Sequence, residues 1–228
     1  MFFNSHHDEN TALAKKNAAE KAISLLGDHP IVGVGTGSTV KYFIDALAEK
    51  KSQIEGAVSS SEATTALLKE KGIPVIDANS ISEIPIYFDG ADAVDKLFHM
   101  IKGGGGAMTR EKILATMSQK FVCMIDESKE KALSSVPLPI EVIPLARSHV
   151  ARELLQMGGA PAWRQDFITD NGNIILDIYH LDMSRPLELE RTLNEITGVV
   201  CHGLFARRAA DTLVIGNPNG AIIKEAQN

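Results

Sequence analysis

The 228-residue chain contains only two cysteines, Cys123 and Cys201. Two isolated cysteines build neither a disulfide framework nor a zinc cluster, and a reducing, cytoplasmic setting is the default expectation. Cys123 falls in the apolar run "FVCMI" and is expected to be a buried small hydrophobe. No apolar run approaches the ~20 residues of a membrane span. The N-terminus lacks the basic-then-apolar order of a signal peptide. Basic residues number 23 against 29 acidic ones, a net charge of -6, and no basic cluster breaks the balance. That argues against a nucleic-acid partner. No histidine or cysteine cluster calls for a metal, and no repeat or low-complexity segment stands out. What remains is an ordinary globular composition, 44% hydrophobic and 23% charged, in a chain long enough for one large or two small domains.

The order of elements is informative. "MFFNSHHDEN", with His6 and His7, reads as a poorly ordered, solvated tail. Thr11 to Leu26 has helical apolar spacing. "IVGVG", "GAVSSS", "IPVI", "IPIYFDG" and "FVCMID" read as strands, separated by the helical stretches "STVKYFIDALAEK", "EATTALLKEKG" and "TREKILATMSQK". Nearly all-apolar strands alternating with helices indicate a parallel sheet covered on both faces. From Val136 the pattern becomes β-α-β-β-α-β: "IEVIP", "ARSHVARELLQM", "AWRQDFIT", "NIILDIYH", "PLELERTLNEI", "VVCHGLFA". This is the ferredoxin-like split βαβ, and Asn171-Gly172 suits its hairpin. "DTLVIG" then returns to the first sheet. The expected architecture is α/β: a doubly wound, mostly parallel sheet domain (1–133 and 207–228) with an inserted ferredoxin-like α+β domain (134–206).

Several loops end apolar strands and carry chemistry. In "VGVGTGSTV" a strand enters a glycine turn, and Ser38 and Thr39 open a helix. Converging N–H groups and the helix N-terminus suit a phosphate. Ser38 stands where a dinucleotide fingerprint needs glycine, and no P-loop lysine or G-x-S-x-G follows. A phosphate cradle and a plain capped turn both fit this segment. "YFDGAD" places Asp89 at a strand end and Asp92 just after it. Two carboxylates there suit sugar hydroxyls, a metal or proton transfer, and Asp-Gly is also ordinary turn chemistry. In "MIKGGGGAMTREKIL", Lys102 precedes glycines that let a ligand approach the backbone. Glu111 falls in the next helix's first turn, a position that lowers a carboxylate's pKa, whereas burial raises it. Lys129, in "IDESK", also follows a strand. In a parallel sheet such loops gather along one edge. A phosphate cradle, two aspartates, a lysine and a glutamate together suit a phosphorylated polyol.

The segments "GVGTGSTV", "SSSEAT", "FDGADAVD", "IKGGGGAMTREK", "DESK", "PLPIEVIPLARSHVARELL", "TDNGNIILD", "GVVCHGLFA" and "DTLVIG" closely resemble the type A ribose-5-phosphate isomerases. The resemblance runs from about Leu13 to near the C-terminus. It implies interconversion of D-ribose 5-phosphate and D-ribulose 5-phosphate in the non-oxidative pentose phosphate pathway, with no metal and no organic cofactor. It implies that Glu111 is the base and that Asp89, Asp92 and Lys102 line the sugar. Gly90, Ala91 and Gly103, Gly104 and Gly105 join them at the substrate. Thr36, Gly37, Ser38 and Thr39 would hold the phosphate, helped by Lys129 and by Lys15 of the first helix. A homodimer or larger homo-oligomer is also implied. The family usually reads "DGADE", and Ala93 replaces that glutamate here.

Three other readings share the fold class. A sugar-phosphate-sensing regulator needs a helix-turn-helix, for which the N-terminal region has no room, and has no use for Lys102 and Glu111 together. A CoA-transferase-like enzyme would use a glutamate nucleophile. A noncatalytic interaction protein would show an exposed apolar stripe, and none is evident in the sequence. Fold analogy alone does not choose among these; the motif set does.

Overall fold

The computed structural model describes residues 3–227, with side chains from Asp8 onward. In chain order its principal elements are α1 (Phe3–Ala22), β1 (Ile31–Val34), α2 (Ser38–Ala48), β2 (Gly56–Ser59), α3 (Glu62–Glu70), β3 (Ile84–Asp89), β4 (Ala93–Val94) and β5 (Met100–Ile101). There follow α4 (Met108–Met117), β6 (Ser118–Asp126), β7 (Leu138–Val142), α5 (Arg147–Gln156), β8 (Ala160–Trp163), β9 (Ile174–Tyr179) and α6 (Pro186–Asn194). The chain ends with β10 (Val199–His202), β11 (Leu204–Phe205), β12 (Thr212–Asn217) and β13 (Gly220–Glu225). They form two compact units, one reaching to Gly90 and including Ile113–Glu130 and the chain from Ala210, the other comprising Ala91–Lys112 and Lys131–Ala209.

The first unit is built on a six-stranded sheet ordered β13-β12-β6-β3-β1-β2. All pairs are parallel except β12 with β13. Its inner strands are apolar on both faces because helices cover both. α2 buries Val40, Phe43, Ile44 and Leu47, the spacing of one helical face, and Phe43 stacks on Phe88 with centroids 4.4 Å apart. α1 is alanine-rich, and its buried Ala14, Ala18 and Ala22 let it lie close to the sheet. A Cβ on Gly216 would sit 1.9 Å from the Ala14 carbonyl oxygen, so β12 needs glycine there. Chain order reverses between the neighbours β1 and β3, the switch point beyond which open α/β sheets bind ligands.

In the second unit β7-α5-β8-β9-α6-β10 forms an antiparallel sheet ordered β10-β7-β9-β8. This is the ferredoxin-like order expected from the sequence. Leu138, Ile140, Val142, Val150, Leu154, Ile178 and Leu193 form its core, each contributing about 1.5–3 kcal/mol by burial. A small antiparallel sheet, β11-β5-β4, completes the unit.

Several expectations need correction. Residues 91–112, expected in the first domain, pack with the second unit, because β4 pairs with β5 and β5 with β11. The supposed tail is helical from Phe3; Met1 and Phe2 lie outside the described residues. "IPVI" makes only an isolated bridge, Ala57 with Val75, since Pro74 has no N–H for a ladder. "AWRQDFIT" leaves the sheet after Trp163, with Asp166 at φ 55°. "VVCHGLFA" is two strands in two sheets, broken at Gly203, where a Cβ would lie 2.0 Å from the Lys102 carbonyl oxygen. β13, unassigned in the sequence, is the antiparallel edge of the first sheet.

Candidate active site

In the first unit, β1 runs into Gly35 and the turn Thr36–Gly37, and α2 begins at Ser38. Gly37, at φ 128°, caps the helix in a conformation that L side chains rarely adopt. The neighbouring strand β3 ends in Asp89, which is wholly buried. Its carboxylate accepts hydrogen bonds from the Tyr87 hydroxyl, from Thr36 N–H at 3.0 Å and from Gly90 N–H at 2.7 Å. A Cβ on Gly35 would fall 1.9 Å from Asp89 Oδ1, so the close approach of β1 to this carboxylate depends on glycine. Thr36 is committed elsewhere. Its hydroxyl bonds those of Ser60 and Ser61 at 2.7 and 2.8 Å, and its N–H goes to Asp89. Thr36 therefore shapes the turn, while the exposed Gly37 and Ser38 present its outer surface.

Lys15 and Ser38, distant in sequence, line one cavity of about 410 Å³ with Thr11, Lys41, Tyr42 and Asp45. Thr39 is buried beneath the turn. Lys129 ends the short turn Glu127–Lys129 after β6, and Asp126 Oδ1 caps that turn through Ser128 N–H at 3.1 Å.

In the second unit the decisive contact is between Lys102 and Glu111. Lys102 Nζ lies 3.4 Å from Glu111 Oε2, and the side chains are 2% and 5% exposed. Lys102 follows β5 and is held by its N–H to the Gly203 carbonyl at 2.8 Å. Its ammonium lies 5.6 Å from the centre of the Phe205 ring, which Lys112 also approaches at 4.7 Å. Glu111 projects from the first turn of α4. Between them the glycines turn sharply: Gly106 N–H donates to Gly103 O at 2.9 Å, with Gly103 and Gly106 at φ 95° and 81°. Asp92 Oδ2 accepts Gly104 N–H at 2.8 Å, which ties Asp92 and its neighbour Ala91 to this loop. Gly104 and Gly105 are exposed.

Other residues of this unit were not singled out in the sequence. Glu141 on β7 is wholly buried. It accepts hydrogen bonds from the hydroxyls of Thr109 and Thr169 and the amides of Asn171 and Asn173, fixing the start of α4. Arg110 Nε reaches Asn171 Oδ1 at 2.9 Å. In the first unit, Tyr87 was detectable from strand periodicity, since residues two apart share a face. Glu141 left no local signal. Among the described residues no group of three histidine, cysteine or acidic side chains is placed to hold a metal ion, and no helix is long and apolar enough to cross a membrane.

The family model for ribose 5-phosphate isomerase A (phosphoriboisomerase A) matches residues 56–220. The crystal structure of ribose 5-phosphate isomerase A from Neisseria gonorrhoeae is 45% identical, with a TM-score of 0.93 over 96% of this chain and 98% of that one. A D-ribose-5-phosphate isomerase in complex with phospho-erythronic acid is 36% identical, with a TM-score of 0.89 over 95% and 99% of the two chains. The isomerase from Methanocaldococcus jannaschii is 34% identical, with a TM-score of 0.88 over 93% and 98%. With a family match over most of its length and relatives this similar in sequence and fold, the chain belongs to the ribose 5-phosphate isomerase A family.

Proposed function

We propose that this isomerase interconverts D-ribose 5-phosphate and D-ribulose 5-phosphate through a cis-enediolate, with Glu111 carrying the proton between C2 and C1. The buried Lys102–Glu111 pair, 3.4 Å apart, carries this reading. Moving the carbonyl from C1 to C2 requires a proton to leave C2 and one to arrive at C1. One carboxylate on one face of the sugar does both. As the proton leaves, negative charge grows on the two substrate oxygens. The Lys102 ammonium and the N–H groups of Gly103, Gly104 and Gly105 stabilise that charge. A phosphorylated four-carbon acid such as phospho-erythronic acid, bound by a relative, presents two oxygens on one carbon and so resembles the enediolate.

Asp89 and Asp92 hold the sugar hydroxyls and assist ring opening, with Gly90 and Ala91 alongside. Gly37, Ser38 and Thr39 bind the phosphate with Lys15 and Lys129, while Thr36 contributes by shaping the turn. The phosphate, remote from the reacting carbons, supplies binding energy that orients them. The reaction needs neither a metal nor an organic cofactor. The enzyme acts in the cytoplasm, which its two buried cysteines, not joined to each other, suit. It assembles as a homodimer or larger homo-oligomer, supported by the exposed apolar Ile143, Leu145 and Val200 near the paired ends of β7 and β10.

The test is an assay of EDTA-treated protein for ribulose 5-phosphate formed from ribose 5-phosphate. Isomerisation is expected. Its absence in folded protein removes the assignment.

A further inference from the structure

We infer that Arg164 is a positioning residue for the glycine loop: it orients the Gly104–Gly105 peptide so that the Gly105 N–H is presented to the enediolate. This rests on the isomerase reading above. Arg164 directly follows β8, and its own N–H is tied to the Ile175 carbonyl at 2.9 Å. Its guanidinium forks onto Asp177 of β9, Nε to Oδ2 at 2.8 Å and Nη2 to Oδ1 at 2.5 Å. The remaining contacts go to the loop: Nη1 to Gly103 O at 3.3 Å and Gly104 O at 3.2 Å, and Nη2 to Gly103 O at 3.4 Å. A guanidinium has five N–H donors, and these five hydrogen bonds use them all. No donor is left for a substrate, so Arg164 acts through the loop.

The consequence follows from peptide geometry. Among the described residues no peptide bond is cis, and the carbonyl and N–H of a trans peptide point in opposite directions. With the Gly104 carbonyl drawn to Arg164, the Gly105 N–H points to the other side. Gly105 is itself exposed, so a ligand can reach its backbone. The cation at the carbonyl end also polarises the peptide and strengthens its N–H as a donor. Without the guanidinium, a run of four glycines has the conformational freedom to rotate this peptide away. Asp177 on the sheet in turn fixes the plane of the guanidinium, which a lysine cannot reproduce.

The experiment measures kcat and KM for ribose 5-phosphate, and the calorimetric affinity for phospho-erythronic acid, in Arg164→Lys, Arg164→Met and Asp177→Asn. Folding is checked by thermal melting. The expected result is a kcat lowered about 10- to 100-fold, a KM within about 2-fold of the parent, and an affinity for the acid that weakens in step with kcat. An unchanged kcat, or a fall in kcat with full affinity for the acid, overturns the inference. If both arginine variants fail to fold, Asp177→Asn decides by the same outcomes. Affinity for the acid needs no turnover, so failure of the base assignment, seen as an active Glu111→Gln enzyme, is a separate result.

Discussion

Lys102 and Glu111 form an ion pair that is almost wholly removed from water, 3.4 Å apart, joined through a glycine turn and the first turn of α4. Each charge is tolerable there because of the other. Lys102→Met leaves the Glu111 carboxylate facing an apolar side chain, and stability is expected to fall by about 3–5 kcal/mol. Replacing both, as Lys102→Met with Glu111→Leu, restores most of that loss because no buried charge is stranded. Turnover stays abolished in the double variant. Urea unfolding of the parent, the two single variants and the double variant checks the cycle. Additive losses rule out the pair as a coupled unit.

Glu111→Gln separates binding from chemistry. The amide keeps the side chain's shape and its contact with Lys102 Nζ through the remaining carbonyl oxygen, but it cannot accept the C2 proton. Turnover is expected to drop ~10²-fold or more, while calorimetry gives an affinity for phospho-erythronic acid close to that of the parent. Near-normal kcat in this variant removes Glu111 from the proton shuttle.

Gly35→Ala and Gly105→Ala form a contrasting pair. A methyl group at position 35 meets the Asp89 carboxylate at 1.9 Å, and that carboxylate is already held by Tyr87, Thr36 and Gly90. Overpacking of this kind costs about 1–3 kcal/mol and displaces Asp89, so both the melting temperature and kcat fall. At position 105 the methyl group meets nothing, and Ala reduces the entropy of the unfolded chain, a gain of roughly 0.4–1 kcal/mol. Equal melting temperatures for the two variants contradict the steric account.

The sequence was informative where a physical constraint is local. The apolar strands of the first sheet, the Asn171-Gly172 turn and the glycine loop each follow from the residue types present, and Cys123 is buried as its apolar neighbours require. Tertiary partners were not legible. Nothing in "IEVIP" marks Glu141 as the carboxylate that gathers Thr109, Thr169, Asn171 and Asn173, because its donors come from other elements. The reading of "VVCHGLFA" as one strand failed for the same reason. The break at Gly203 is set by the Lys102 carbonyl, a neighbour that no local pattern reveals. Strand periodicity is enough to put Tyr87 on the face of Asp89, but only the packing of Tyr87 against Phe121, at 4.9 Å between centroids, fixes its hydroxyl there.

His202 gives the fold a defined acid sensitivity. The ring is wholly buried; Nε2 lies 3.1 Å from Asn194 Oδ1, and Nδ1 accepts the Leu204 N–H at 3.3 Å. Lys112 Nζ also stands 3.3 Å from Nδ1, and 3.1 Å from Glu190 Oε1. This arrangement selects the neutral tautomer with its proton on Nε2. Burial, followed by the Lys112 charge, holds the imidazole pKa well below its ordinary value. An unfolded chain takes up the proton near pH 6.5, so below that pH the unfolded state binds more protons than the folded one. The stability tied to His202 is therefore intact above about pH 6.5 and is lost as the pH falls from there toward the depressed folded value. The loss is at most about 1.4 kcal/mol per pH unit for one group. In His202→Gln the amide replaces both hydrogen bonds without titrating, so stability should decline less steeply between pH 6.5 and 5 than in the parent. Denaturant unfolding at closely spaced pH values measures the two slopes, and parallel curves would assign the acid sensitivity to other groups.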